Sequence, residues 1–508
     1  MLTEYVRMIK RSDMIGCLLC HDAPCSKACR ELHGGEGLDP AARLRSIWFD
    51  NEKQAALALP DRIPCAACSG ACENACIRTG LGRIREMMLR LHEGIKPGIE
   101  VSKPDSPALL ETDLCGKKLE NPFMLSSSVV ASTYDMCARA FDAGWAGAAF
   151  KTICSFEIHE ASPRFSAIKG DNGAIIGFKN IEQLSDHSVA ENMEIFTRLK
   201  KQYPSKFILA SIMGQNEKEW AELAKMCEDN GADAVELNFS CPNMAEGGLG
   251  SDIGQIPELV EQLTAAAKRG CGIPVLAKLT PNVASMLPAA EAAKRGGADG
   301  IAAINTIKSV TGVNIHTYVS DPPVHGKSAV GGYSGNAVKP IALRFIQEMA
   351  SDPSLEGLHL SGMGGIETWR DALEFILMGC TTLQVTTAVM QYGYRIIDDL
   401  KSGLSLYLRE KGFSNVREAI GLGVENVSST TDVLERDTVI FPKFHPDRCI
   451  RCGRCYISCQ DGGHQAIRLD EDRLPKLDGS RCVGCHLCLL VCPMNAISPA
   501  IKRVALKR

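Results

Sequence analysis

The 508-residue chain lacks any stretch of about 18 uncharged apolar residues, so no membrane span is expected. Its opening, Met1-Leu2-Thr3-Glu4-Tyr5-Val6-Arg7, lacks an apolar run of signal-peptide length. Neither charge is in excess. The 56 Lys and Arg against 60 Asp and Glu leave a net charge of −4, and no overall field favours nucleic acid or anionic lipid as a partner. A Gly-x-Gly-x-x-Gly turn between a strand and a helix is missing too. The nearest run, Gly247-Gly248-Leu249-Gly250, follows Cys241 and reads as a mobile loop. A dinucleotide-binding domain is therefore not expected.

Cysteine, by contrast, is abundant, with 23 residues. Sixteen fall into four tight groups, at Cys17–Cys29, Cys65–Cys76, Cys449–Cys459 and Cys482–Cys492. Neighbours two to four residues apart suit metal chelation and rarely pair with each other as disulfides. A soluble, cytoplasmic protein of a reducing compartment is the expectation. Cys449-x₂-Cys452-x₂-Cys455-x₃-Cys459 is followed by Cys482-x₂-Cys485-x₂-Cys488-x₃-Cys492-Pro493. This is the two-cluster ferredoxin pattern, in which the fourth cysteine of each run ligates the other cluster. Cys449, Cys452, Cys455 and Cys492 then hold one [4Fe–4S] cubane, and Cys482, Cys485, Cys488 and Cys459 the other. Zinc sites use two pairs of ligands rather than two interleaved quartets.

The cysteine groups and Pro/Gly-rich linkers divide the chain into a helix-forming segment 1–105, a middle 106–435 and a last cysteine-rich domain 436–508. The middle alternates short apolar β-type runs with amphipathic segments, the mark of parallel βα units. Eight strands are expected, at 123–126, 147–151, 207–211, 234–238, 275–278, 301–305, 358–361 and 382–386. Helical segments at 135–143, 220–228, 257–268 and 369–378 lie between them, and another is expected at 81–92. Gly231 and Gly297 end helices before the next strand, as glycine does just past a helix C-terminus. Eight such units predict a (β/α)₈ TIM barrel, with its active face at the strand C-terminal ends. Each expected strand ends in a polar residue, lysine in the cases of Lys151 and Lys278. Gly364 and Gly365 after strand seven, with Thr386 and Thr387 after strand eight, occupy the usual phosphate-binding loops of such a barrel.

Glu236-Leu237-Asn238-Phe239-Ser240-Cys241-Pro242, Ala277-Lys278-Leu279-Thr280-Pro281-Asn282, Ile304-Asn305-Thr306 and Gly364-Gly365-Ile366 stand in that order along the chain. They resemble the FMN domain of dihydropyrimidine dehydrogenase, and from about residue 107 onward the chain looks like the bacterial catalytic subunit of that family. The resemblance implies that Ser127, Lys151, Thr152, Lys278, Ser334 and Gly335 line the flavin, with Gly364, Gly365, Thr386 and Thr387 at its phosphate. Lys278 is expected near the N1–C2 edge, where its charge would stabilise reduced flavin. Asn180, Asn238, Asn305 and Thr306 match the family's substrate contacts, and asparagine amides offer both the donors and the acceptors that a uracil edge needs. Cys241 is the expected proton donor to C5 of the pyrimidine while flavin N5 delivers hydride to C6. A thiol with an ordinary pKa of about 8.5 is mostly protonated near neutrality. Cys115, Cys137, Cys154, Cys227, Cys271 and Cys380 fit structural roles better.

Cys17-x₂-Cys20-x₄-Cys25-x₃-Cys29 and Cys65-x₂-Cys68-x₃-Cys72-x₃-Cys76 resemble the N-terminal cluster domain of dihydropyrimidine dehydrogenase and of the small subunit of glutamate synthase. Bacteria usually place this module on the partner subunit. By that resemblance Cys17, Cys20, Cys25 and Cys76 hold one cluster, and Cys29, Cys68 and Cys72 hold another with a fourth ligand. The family's fourth ligand is a glutamine. The matching stretch 82–86 has none, which leaves Cys65 as the candidate. The whole is thus expected to carry FMN and four [4Fe–4S] clusters. It is expected to be an oxidoreductase that reduces the 5,6 double bond of uracil or thymine. Electrons would enter at 1–105 from a separate FAD/NAD(P)H flavoprotein or a ferredoxin, in a homodimer. Asn243 stands where the animal enzymes have histidine, and Asn-x-Ser-Cys-Pro-Asn also resembles class 1 dihydroorotate dehydrogenases. The alternatives are an enzyme of that type or an electron-transfer subunit of a larger flavoprotein complex.

Overall fold

The computed structural model describes residues 14–18, 20, 22–35, 37–78, 83–170, 173–244 and 248–505. Met1 to Arg7, the first two residues of the expected 81–92 helix, and Gly247 lie outside the described residues. The chain divides into two compact units, Met1–Val427 and Ser428–Arg508.

The first unit is built on a closed barrel of eight parallel strands: β1 (Phe123–Leu125), β2 (Gly147–Ala149), β3 (Phe207–Ile212), β4 (Ala234–Asn238), β5 (Val275–Lys278), β6 (Gly300–Ala303), β7 (His359–Met363) and β8 (Thr382–Val385). They follow one another around the barrel in chain order, and β8 closes onto β1 through Leu383 opposite Phe123. All eight strands expected from the apolar runs are present. Covered on both faces, they read as near-continuous hydrophobic runs rather than alternating ones. The ladder gives out one or two residues early in β1, β2 and β6, so Ser126, Lys151 and Asn305 lie on the turns that leave the mouth.

Local signals set the helices between the strands. Asn216 caps Glu217–Asp229 by accepting from the Glu219 N–H, and Thr368 with Asp371 forms a capping box on Trp369–Leu377. Gly231 and Gly297 take left-handed φ values of 94° and 93° where the chain leaves a helix for the next strand.

Two of the loops over the mouth contain strands that the apolar pattern did not announce. Phe165–Lys169 and Ile175–Asn180, after β2, join Gly331–Ser334 and Ile307–Ser309, after β6, in a four-stranded antiparallel sheet. This sheet carries Asn180 and Ser334.

The N-terminal segment folds as short helices, among them Pro24–Leu32, Pro40–Trp48, Glu52–Leu57 and Ile84–Leu89. Leu44, Trp48, Ala55 and Met88 belong to the same continuous apolar core as the barrel's Phe123 and Leu383. Polar contacts tie the seam. Asn51 Nδ2 donates to Asp399 Oδ1 (3.0 Å) and Ser402 Oγ (2.9 Å), Lys53 pairs with Glu410 at 2.7 Å, and Arg395 donates to the Leu18 carbonyl at 2.7 Å.

The second unit pairs Thr438–Phe444 with Ile497–Ala505 and Ile467–Leu469 with Pro475–Leu477, both antiparallel. Its buried apolar centre is small, made by Ile467, Cys488 and Ile497. Among the described residues no helix is long and apolar enough to cross a membrane.

Candidate active site and cluster pockets

All fifteen side chains and glycines expected to hold flavin, bind substrate or donate the proton line one cavity at the C-terminal mouth of the barrel. On one side lies a glycine cradle. Gly335, Gly364 and Gly365 have φ values of 90°, 115° and 87°, a region that only glycine enters freely. A Cβ on Gly365 would come within 2.8 Å of the Lys339 Cβ and 3.0 Å of the Gly335 carbonyl. Hydroxyls flank the cradle: Ser334 Oγ lies 2.9 Å from Thr387 Oγ1, and Ser128 Oγ 3.1 Å from Thr386 Oγ1.

Inside the barrel, register sets Asn238 of β4 opposite Lys278 of β5. The Lys278 ammonium lies 3.2 Å from Glu236 Oε1, and Gln384 Nε2 donates to the other Glu236 oxygen at 3.0 Å. Glu236 and Lys278 are both buried, and so is Gln384, whose Oε1 has no hydrogen-bond partner.

Next to this pair runs a line of neutral groups. Asn238 Nδ2 donates to Thr152 Oγ1 (2.8 Å), and Ser240 Oγ donates to Asn238 Oδ1 (2.9 Å). Asn305 Nδ2 donates to Ser240 Oγ (2.8 Å), and the Thr306 N–H donates to Asn305 Oδ1 (2.7 Å). Each amide is thus held in one orientation. From the sheet over the mouth, Asn180 Oδ1 accepts from Asn243 Nδ2 at 3.0 Å, and the same amide donates to the Glu182 carbonyl at 2.8 Å. Asn243 therefore ties the sheet to the loop that carries Cys241.

Cys241 is buried at the cavity wall. The loop beyond it returns so that the Ser251 N–H donates to its carbonyl at 2.9 Å. Gly250 permits that approach, since a Cβ there would lie 2.4 Å from the Cys241 carbonyl oxygen. Burial, above all, pushes the Cys241 thiol up to about 11, so it is a protonated thiol at neutral pH.

Three carboxylates were missed by the sequence reading. Glu182 and Glu160 meet Lys151, at 3.0 and 3.6 Å from its ammonium, and Arg164 stands 3.8 Å from each carboxylate. Burial holds Glu160 above the usual carboxylate range, while the Gln183 N–H, Lys151 and Arg164 oppose that rise. Glu236 is the third. Its signal was present, because an acid within the apolar run Ala-Val-Glu-Leu-Asn needs a buried cation. Glu160 lies in a loop and gave none.

The grouped cysteines lie near enough to one another to act on each other's thiols. Cys17 is pushed up to about 12 by burial and by the neighbouring Cys25, Cys76 and Cys20. Cys65 rises to about 11 through burial, Cys29 and Cys68, and Cys72 to about 12 through burial, Glu73, Cys29, Cys65 and Cys68. Cys65 thus stands with Cys29, Cys68 and Cys72. In the second unit Cys449, Cys452, Cys455 and Cys492 line one cavity, and Cys459, Cys482, Cys485 and Cys488 another. Backbone N–H groups already point at several of these sulfurs, from Gly70 to Cys68 (3.4 Å), Ala466 to Cys459 (3.3 Å) and Ala496 to Cys492 (3.2 Å). Among the described residues no three His, Cys, Asp or Glu side chains converge on a single metal ion.

The family model for dihydroorotate dehydrogenase matches residues 109–408, the whole barrel. The chain belongs to the dihydroorotate dehydrogenase family. A 4Fe–4S dicluster domain matches residues 443–498, so a flavin-family barrel and an iron–sulfur domain stand in one chain. The chain is similar to the NAD-dependent dihydropyrimidine dehydrogenase subunit PreA of Escherichia coli, 54% identical over 76% of this chain and 94% of that protein. It is 37% identical to the chloroplastic dihydropyrimidine dehydrogenase (NADP(+)) of Arabidopsis thaliana, over 66% of this chain and 80% of that one. The catalytic subunit of dihydroorotate dehydrogenase B (NAD(+)) of Pyrococcus abyssi is 39% identical, over 62% of this chain and its own full length.

Alkylation needs the thiolate. Because burial raises the Cys241 thiol, its labelling by iodoacetamide should stay slow through neutral pH and climb only as pH approaches about 11. Peptide mass spectrometry of the Cys241 fragment across a pH series checks this. Full labelling near pH 8 would contradict it.

Proposed function

We propose that the barrel binds FMN and reduces the 5,6 double bond of a pyrimidine base, uracil or thymine, with Cys241 as proton donor. The observation that carries this reading is the convergence of Cys241, Asn180, Asn238, Asn305 and Thr306 on the same cavity as the glycine cradle. FMN fits the residues present: the cradle of Gly335, Gly364 and Gly365 suits a phosphate, and the partnerless Gln384 Oε1 leaves an acceptor for a ring N–H. Ser127, Lys151, Thr152, Lys278 and Ser334 would hold the rest of the group, with Thr386 and Thr387 beside the phosphate. When bound, FMN supplies a hydride equivalent to the ring and takes up electrons singly from iron–sulfur clusters.

The chain's own residues do the remainder. The amides of Asn180, Asn238 and Asn305 and the Thr306 hydroxyl receive the imide edge, and their mutual hydrogen bonds fix which atoms donate. Cys241 keeps its proton at neutral pH and can release it to C5 of the ring. The Glu236 carboxylate pairs with the Lys278 ammonium in the barrel interior.

The four quartets are read as four [4Fe–4S] sites: Cys17, Cys20, Cys25 and Cys76; Cys29, Cys65, Cys68 and Cys72; Cys449, Cys452, Cys455 and Cys492; Cys482, Cys485, Cys488 and Cys459. Electrons then come from a separate FAD/NAD(P)H flavoprotein or a ferredoxin docking at residues 1–105. The Escherichia coli relative is an NAD-dependent dehydrogenase subunit, which supports a separate donor. A homodimer is read from the family resemblance, and a cytoplasmic location from the sixteen grouped thiols, which need a reducing compartment.

Two variants test the reading. Cys241→Ala should keep its flavin and still be bleached by dithionite, yet reduce uracil on the order of a hundredfold or more slowly, the usual scale for a lost general acid. Near-normal turnover would remove Cys241 from the role. Cys65→Ser should lower iron content by one cluster and alter the electron paramagnetic resonance signal of that cluster only. Unchanged iron and spectra would remove Cys65 as a ligand.

A further inference from the structure

The substrate cavity contains two cations, Lys151 and Lys278, among its described lining residues, and neither is free. Lys278 is matched by Glu236 at 3.2 Å. Lys151 is doubly matched, with Glu182 Oε1 at 3.0 Å and Glu160 Oε1 at 3.6 Å, and its side chain is only 8% exposed. Arg164 balances the second carboxylate from outside, so the four groups sum to zero charge. Asn243 fixes this arrangement by donating to the Glu182 carbonyl, which sets the height of Glu182 beside Cys241.

We infer that Glu160 and Glu182 are specificity-determining residues: they occupy Lys151 and so close the site to pyrimidines that carry a carboxylate. This deepens the reading above and rests on it. A ring bearing a carboxylate beside its reducible bond, as orotate does, needs a cation at that edge. In this cavity the carboxylate would have to displace Glu182 from Lys151, leaving a buried glutamate unpaired, and it would meet Glu160 behind it. A neutral imide needs only the amides of Asn180, Asn238 and Asn305, and it disturbs no ion pair. Rejection of the anion is therefore built from repulsion, while acceptance of the neutral ring is built from hydrogen bonds.

The sequence shows why this could not be seen along the chain. Lys151 ends β2, Glu160 lies in the following loop, and Glu182 follows the strand Ile175–Asn180. Only the hairpin over the mouth brings the three together.

The test uses the full flavin- and cluster-loaded chain. Dissociation constants for uracil and orotate are read from perturbation of the flavin spectrum in the wild type, Glu160→Gln, the Glu160→Gln/Glu182→Gln double variant and Arg164→Gln. The wild type should prefer uracil. The orotate-to-uracil affinity ratio should rise about tenfold or more in the double variant and less in the single one. It should fall in Arg164→Gln, where a net negative charge remains. A ratio that stays constant across the variants, or a wild type that binds orotate as tightly as uracil, overturns the inference. A wild type that retains flavin but binds neither ring overturns the proposed function itself, and the inference falls with it. Retained flavin in each variant shows that the barrel is folded.

Discussion

An ammonium group inside a closed barrel is stable only against a carboxylate. The interior of β1–β8 excludes water, and an unpaired buried charge there would cost several kcal/mol even after the surroundings relax. Lys278 is answered by Glu236 one strand away, and Lys151 by Glu182 and Glu160, which flank the hairpin over the mouth. Because these charges pair internally, the cavity presents amides, hydroxyls and one thiol beside apolar side chains such as Phe178 and Ile304. That limits what it can recognise. It suits a ring whose edge is made of neutral N–H and C=O groups, and it offers no spare cation among the described lining residues.

The same low-polarity wall governs the chemistry of Cys241. Desolvation penalises the thiolate, so the thiol that lines this cavity with the asparagine amides keeps its proton at neutral pH. The barrel also shares its core with the N-terminal helices: Trp369 donates to the Asp50 carbonyl at 2.8 Å, and Phe49 packs edge-on against Tyr392 at 5.3 Å. The cysteine quartets of that segment are thus seated on a rigid support within one compact unit.

Much of this was legible in the sequence, and the reason is locality. A cysteine spacing or a buried parallel strand is written in consecutive residues, so all eight barrel strands could be read directly, and the C-terminal cysteine runs point to the two cavities that those residues line. Asn238 and Cys241 of the motif Asn-Phe-Ser-Cys-Pro and the paired glycines at 364 and 365, expected at substrate and flavin, line one cavity. What escaped depended on distant segments meeting. Glu160 and Glu182 pair with Lys151 only because two loops zip into an antiparallel sheet, and those strands are short and broken by Gly177, Gly331 and Gly332. Glu236 lies within a local motif, but its meaning waits on the register that places β5 beside β4.

The claim at the centre of this account is that the cavity hands electrons to a neutral pyrimidine ring. The most direct measurement is to reduce the flavin- and cluster-loaded chain anaerobically with dithionite, remove the excess, and add uracil. The account predicts that the oxidised flavin spectrum returns while 5,6-dihydrouracil accumulates in proportion. Reduced flavin that persists unchanged in uracil, while another unsaturated compound oxidises it, would contradict the account.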